Sequence, residues 1–272
     1  METAHGSVLF AFALTALAGL STGIGSAIAF FARRTNTRLL AFSLAFSAGV
    51  MVFISLFELL PESRGTLAGR FGPASGAWAA FGAFFVGIAF TALIDFLVPS
   101  FENPHEHRHI EEMEPGGGTG ERRLMRMGLL SAFALTVHNI PEGLATFVAA
   151  LNDPTTGLSI ALAIAIHNVP EGISVSVPIF YATGDRRKAF LYSFATGLAE
   201  LVGAALGYLL LAPFIGPTLF GLAFAFVAGI MVFISFDELL PAAHDTGDHH
   251  LVLFGLLAGM GVMFATLNLF PH

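Results

Sequence analysis

The sequence predicts an all-α integral membrane protein of eight transmembrane helices built from inverted repeats. Two observations on composition and one on pattern carry this. Of the 272 residues, 55% are hydrophobic and 11% charged, where a soluble domain has about 25% charged residues. Apolar runs of about 20 residues, the length that crosses a bilayer, recur along the whole chain. Two segments also return a second time, in spans of opposite direction. This composition excludes a disordered chain, and a net charge of -7 leaves no polybasic surface for nucleic acid. With no cysteine, disulfide frameworks and thiolate metal sites are excluded as well.

The first apolar run, 7–32, has no Lys or Arg before Arg33. It therefore lacks the basic start of a secretory signal and is expected as a retained span. The others are expected at 39–61, 76–98, 124–150, 158–182, 188–211, 219–241 and 250–270. Short connections such as Asn152-Asp153-Pro154 and Gly184-Asp185 carry turn residues. The exception is 99–123, which is charged, contains a triple glycine and includes His105, His107 and His109. It is expected as a flexible cytoplasmic loop. It separates spans 1–3, residues 1–98, from spans 4–8, residues 124–272, within one membrane domain.

Basic residues set the expected orientation. Arg33, Arg34, Arg38, Arg108, Arg122, Arg123, Arg126, Arg186, Arg187 and Lys188 all fall on one side, and only Arg64 and Arg70 on the other. Cytoplasmic loops collect Lys and Arg. Both termini are thus expected outside a cell (inner) membrane, and loop 99–123 inside.

Residues 46–61, FSAGVMVFISLFELLP, match residues 226–241, FVAGIMVFISFDELLP, at twelve of sixteen positions. The first copy lies in span 2 and the second in span 7, which cross in opposite directions. Residues 134–143, ALTVHNIPEG, match 163–172, AIAIHNVPEG, in the antiparallel spans 4 and 5. Spans 1–3 are therefore expected to relate to 6–8, and span 4 to span 5. Many secondary transporters use such inverted repeats to place a site near the midplane.

No span interior contains Lys or Arg, yet the spans hold Glu58, Asp95, Glu142, Glu171, Glu200, Asp237 and Glu238. An ionised carboxylate in hydrocarbon costs several kcal/mol or more unless compensated. The remedies left are protons, water or bound cations. His138 and Glu142 are four residues apart and share a helix face, with Asn139 on its flank. His167, Asn168 and Glu171 repeat this arrangement in span 5. Imidazole nitrogen with carboxylate oxygen suits first-row divalent ions such as Zn, Fe and Mn. Pro141 and Pro170 each remove an N–H, which would free the carbonyls of Val137 and Ile166.

The paired HNIPEG and HNVPEG motifs resemble those of the ZIP family of divalent-metal transporters, and the likeness covers nearly the whole chain. The resemblance implies a binuclear metal site in the helix bundle. His138, Glu142, His167 and Glu171 would form one half, and Asn139, Glu142, Asn168, Glu171 and Glu200 the other. The cargo it implies is Zn2+, with Fe2+, Mn2+, Co2+ and Cd2+ as further substrates, and no organic cofactor. It also implies a homodimer, and an elevator-like motion of spans 1, 4, 5 and 6 against 2, 3, 7 and 8. A methionine near the site corresponds to Met51, whose repeat partner is Met231.

Glu58 and Glu62 are expected to attract cations at the entrance, and Asp95, Asp237, Glu238 and His244 to line the exit. The competing reading of these residues is acids at helix ends that reach water. His249 and His250 sit in the last cytoplasmic loop and, like the 105–109 histidines, suit weak binding of exiting metal. The chain has no GxxxxGK[ST] phosphate loop, so it has no nucleotide site of that kind. The expected function is secondary transport of divalent transition metals into the cytoplasm, not enzyme catalysis. Two alternatives stay open on sequence alone: an intramembrane metal-dependent hydrolase, and an exporter of the same fold.

Overall fold

A computed structural model describes residues 2–28, 37–97, 119–211 and 216–269. Among these, every regular element is a helix. In chain order they are α1 (Glu2–Ile28), α2 (Thr37–Ile54), α3 (Leu60–Phe71), α4 (Pro73–Leu97), α5 (Thr119–Asn152), α6 (Pro154–Thr183), α7 (Arg186–Leu211), α8 (Pro217–Ile234), α9 (Leu240–Thr246) and α10 (His249–Leu269). One π-helical turn, Ser55–Leu59, joins α2 to α3, and another, Ser235–Leu239, joins α8 to α9. Seven of the continuous helical stretches are long and apolar enough to cross a membrane. The eighth span is α5, 34 residues long and central to the bundle. Most of the 99–123 loop, with its three histidines, lies outside the described residues.

Spans 2 and 7 run further than the sequence suggests. Pro61 and Pro241 read as helix ends, but the helix continues to Phe71 in one case and Thr246 in the other. A proline cannot accept the preceding turn's carbonyl geometry or supply an N–H. Here the chain widens by one residue just before it. The N–H of Leu60 bonds the Ser55 carbonyl, and that of Leu240 bonds the Ser235 carbonyl. The proline then sits in the first turn of the next helix, where its missing donor costs nothing. Pro141 likewise lies inside an unbroken α5, and Pro170 inside an unbroken α6. The turns between helices match their residues. The Asp153 side chain accepts from the Thr156 N–H at 2.7 Å and caps α6, and Gly184 ends that helix at φ 68°.

The helices divide into two groups. Helices α1, α5, α6 and α7 pack on one another, while α2, α3, α4, α8, α9 and α10 form a framework around them. The main joins between the groups are α2 against α6 and α8 against α5. Large apolar side chains such as Trp78, Phe85, Phe96 and Phe254 face outward. An apolar exterior of this extent is what lipid requires.

Glycine contacts make the inverted repeat visible in three dimensions. Gly49 of α2 abuts the Leu256 carbonyl of α10, and Gly229 of α8 abuts the Phe84 carbonyl of α4. In return, Gly259 of α10 meets the Phe46 carbonyl and Gly87 of α4 the Phe226 carbonyl. Each residue here is matched to its own repeat partner. A Cβ at any of these glycines would collide with backbone, so the close crossings depend on its absence.

Candidate metal site

The site lies inside the α1/α5/α6/α7 group, where α5 and α6 bring the two copies of the repeated motif together. Asn139, Glu142, His167, Asn168, Glu171 and Glu200 are all buried. His167 Nε2 stands 3.1 Å from Glu142 Oε1, across the α5–α6 interface. The same nitrogen is 4.0 Å from Glu171 Oε1, one turn along α6. Ligand atoms of Glu142, His167 and Glu171 all lie within 4.8 Å of one another, a spacing that a single cation can bridge. The backbone of His138 precedes Glu142 by one turn of α5; its side chain lies outside the described residues.

The two asparagines are held by backbone on either side. Asn168 Nδ2 donates to the Ala18 carbonyl of α1 at 2.9 Å, and also to Glu200 Oε1 of α7. Asn139 Nδ2 donates to the Thr196 carbonyl of α7 at 3.0 Å. With the amide nitrogens engaged, the oxygens are turned away from those bonds. Asn139 Oδ1 and Asn168 Oδ1 are buried with no hydrogen-bond partner. A buried acceptor left unsatisfied costs about 1–3 kcal/mol, and a bound cation removes that cost. The buried polar groups gathered here are one described imidazole, three carboxylates and two amides.

Two glycines set the depth of the site. A Cβ on Gly143 would strike the Glu200 backbone, and one on Gly172 would strike the Thr22 carbonyl. Their absence lets α7 lie against α5 and α1 against α6 closely enough for Glu200 and Ala18 to reach Asn168. Hydroxyls tie down the carbonyls around the site. Thr146 bonds the Glu142 carbonyl, Ser174 the Glu171 carbonyl, and Ser193 the Gly172 carbonyl.

Comparison with known proteins decides the family. Residues 100–267 match the family model described as ZIP zinc transporter. The chain belongs to the ZIP family. It is 56% identical to the zinc transporter ZupT of Nitratidesulfovibrio vulgaris, over 97% of this chain and 98% of that protein. It is 54% identical to the ZupT of Chlorobium chlorochromatii, over 97% and 98%, and 52% identical to that of Clostridium perfringens, over 97% of each. As a ZIP-family chain with spans along its whole length, it is a multi-pass membrane protein of a transporter family, not an enzyme family.

The remaining ZIP-family expectations fall elsewhere in the structure. Met51 and Met231 are fully buried in α2 and α8, and the Ser47 hydroxyl lies 3.9 Å from the Met51 sulfur. Glu58, Asp237 and Glu238 occupy the two π-turns and are half-buried. Asp95 is half-buried near the end of α4, and Glu62, His244, His249 and His250 are exposed. None of these acids and histidines belongs to the Glu142, His167 and Glu171 cluster. What the motifs did not reveal is the part played by α1 and by the Thr196 turn of α7, whose backbone carbonyls orient the asparagines. A sequence signal for it exists: Gly19-Leu20 and Gly25 recur with the same spacing as Gly197-Leu198 and Gly203.

Proposed function

We propose that this protein is a secondary transporter that moves divalent transition-metal ions, zinc foremost, across the membrane into the cytoplasm. The carrying observation is the buried Glu142, His167 and Glu171 cluster, with ligand atoms within 4.8 Å, on two antiparallel helices bearing the same motif. His138, Asn139, Asn168 and Glu200 complete the ligand set in this reading. Fe2+, Mn2+, Co2+ and Cd2+ are further substrates, because imidazole and oxygen ligands without thiolate fit several first-row and related ions.

A cargo ion needs a site that opens to each side in turn, and a pseudo-symmetric ligand set serves both. The α1/α5/α6/α7 group carries the site in this mechanism and slides past the framework along the α2–α6 and α8–α5 joins. Met51, Glu58, Asp95, Asp237 and Glu238 flank the route at lower affinity. The protein acts as a homodimer in the cell membrane, with both termini outside.

Proteoliposomes loaded with a metal-sensitive dye test the reading. Wild type should pass zinc, while His138→Ala and Glu171→Ala should not. Flux that survives both substitutions would remove the site from the transport path. Zinc binding without any flux would point instead to a metal-dependent hydrolase. Cysteine-accessibility labelling of each terminus tests the orientation.

A further inference from the structure

The turn between spans 7 and 8 gathers three histidines that the proposed transport route does not use. His244 lies in the last turn of α9, and His249 and His250 open α10. The turn itself is held from several sides. The Gly247 N–H bonds the Ala243 carbonyl at 3.0 Å and closes α9. A Cβ on Gly247 would strike the Ala41 side chain, so the turn lies tight against α2. The Asp248 side chain accepts from the Leu251 N–H at 3.0 Å and pairs with Arg38 of α2 at 3.5 Å. These contacts set where α10 begins relative to the end of α9.

Across this turn the His244 and His249 rings are centred 5.8 Å apart, with their planes 37° apart. Two imidazoles on one tetrahedral zinc, each with Zn–N of about 2.0–2.1 Å, have ring centres roughly 5 Å apart. Both side chains are exposed, so a small rotation brings their nitrogens onto one ion. His250 is 5.7 Å from His249 but at 72°, and consecutive helical residues point about 100° apart. That favours His244 as the partner of His249.

The His244 ring is also oriented as a metal ligand is. Its Nδ1 lies 2.8 Å from the Leu240 carbonyl. A carbonyl only accepts, so in the neutral ring Nδ1 carries the proton and Nε2 keeps its lone pair. Metal-binding histidines almost always anchor their second ring nitrogen in this way, which fixes tautomer and ring direction. Asp248 is occupied by its cap and by Arg38, so nitrogen dominates the chemistry offered here. Imidazole suits Zn2+, Cu2+ and Ni2+, whereas Mg2+ and Ca2+ favour oxygen.

We propose that His244 and His249 form a second divalent-metal site, at the surface where α9 meets α10, for ions that favour imidazole such as Zn2+. Two protein nitrogens, with water in the remaining positions, make an open site from which the ion exchanges readily. Both ligands belong to the framework, so the site stays in place while the α1/α5/α6/α7 group moves in the proposed mechanism. The binding itself does not depend on the transport reading.

The test is protection of each histidine from diethyl pyrocarbonate, read by peptide mass spectrometry on the untagged full chain with and without Zn2+. Zn2+ should slow modification of His244 and His249 together, several-fold, and Mg2+ at the same concentration should not. His244→Ala should abolish the protection of His249, and His249→Ala that of His244. Both positions are exposed, so neither substitution threatens the fold. Glu171→Ala should leave the protection unchanged. Zn2+ that protects neither histidine overturns the proposal, and so does protection of His249 that survives His244→Ala. Protection that vanishes with Glu171→Ala overturns it as well, because it would report the buried cluster. Zinc flux that survives Glu171→Ala would defeat the transport reading and leave this site standing.

Discussion

The α1/α5/α6/α7 group and the framework around it are both helical and both buried at their contacts, but they bury different chemistry. Among the described residues, the group's buried polar residues include Asn139, Glu142, His167, Asn168, Glu171, Glu200 and several threonines and serines. The framework's are Ser43, Ser47, Ser55, Ser63 and Ser235, every one a serine. A serine hydroxyl is neutral: that of Ser235 bonds the Met231 carbonyl at 2.7 Å, while those of Ser55 and Ser63 are buried without a partner. A buried carboxylate costs far more unless it is paired or protonated. The framework is therefore compatible with an apolar core, while the group's acids call for protons, water or a bound cation. The difference supports placing the proposed site in the group, with the framework as its support.

The largest expected effect comes from removing an acid of the group. Glu171→Ala should reduce zinc flux to the level of empty vesicles, whereas Ser47→Ala in the framework should leave it close to wild type. Equal loss in both would erase the contrast. Next is motion between the groups. The chain has no cysteine, so engineered pairs meet no background. A cross-linked cysteine pair between α2 and α6 should stop transport, and one between α1 and α7 should spare most of it. Transport through the α2–α6 cross-link would show that the two groups do not slide.

Gly143→Ala and Gly229→Ala offer a finer comparison, because each drives a methyl into backbone. Overpacking of this kind costs about 1–3 kcal/mol in either place, read as a lower melting temperature. Only Gly143→Ala should also weaken zinc binding, since that contact sets the approach of Glu200. The smallest effects belong to the helix caps. Asp153→Ala should cost about 1 kcal/mol of stability without changing zinc affinity. Asp248 caps α10, and the Leu251 N–H bonded to it holds its carboxyl below the usual value. Its contribution is present above the ordinary carboxylate range and is lost as pH falls through the lowered value. Asp248→Asn should flatten that part of the thermal-stability profile against pH.

The spans and the chemistry of the site were legible in the sequence, for separate physical reasons. Apolar runs and basic loops respond to the bilayer, so composition alone marks them. The HNIPEG and HNVPEG motifs stand out because acids without bases are expensive in hydrocarbon. Helix continuation past Pro61 and Pro241 was not legible, because a widened turn at Ser55–Leu59 or Ser235–Leu239 leaves no residue-type signature. The role of α1 was hidden for two reasons. Ala18 contributes only a backbone carbonyl, which any residue has. Thr22 occupies the counterpart of Glu200, so the α1–α7 repeat is masked at its most informative position.

The central claim is that the buried cluster of α5 and α6 holds the transported ion. Anomalous diffraction at the zinc edge, from crystals grown with zinc, tests it most directly. The account predicts an anomalous peak bounded by Glu142, His167 and Glu171, lost in Glu171→Ala. Zinc peaks elsewhere in the molecule, with none at this cluster in the wild type, would contradict it.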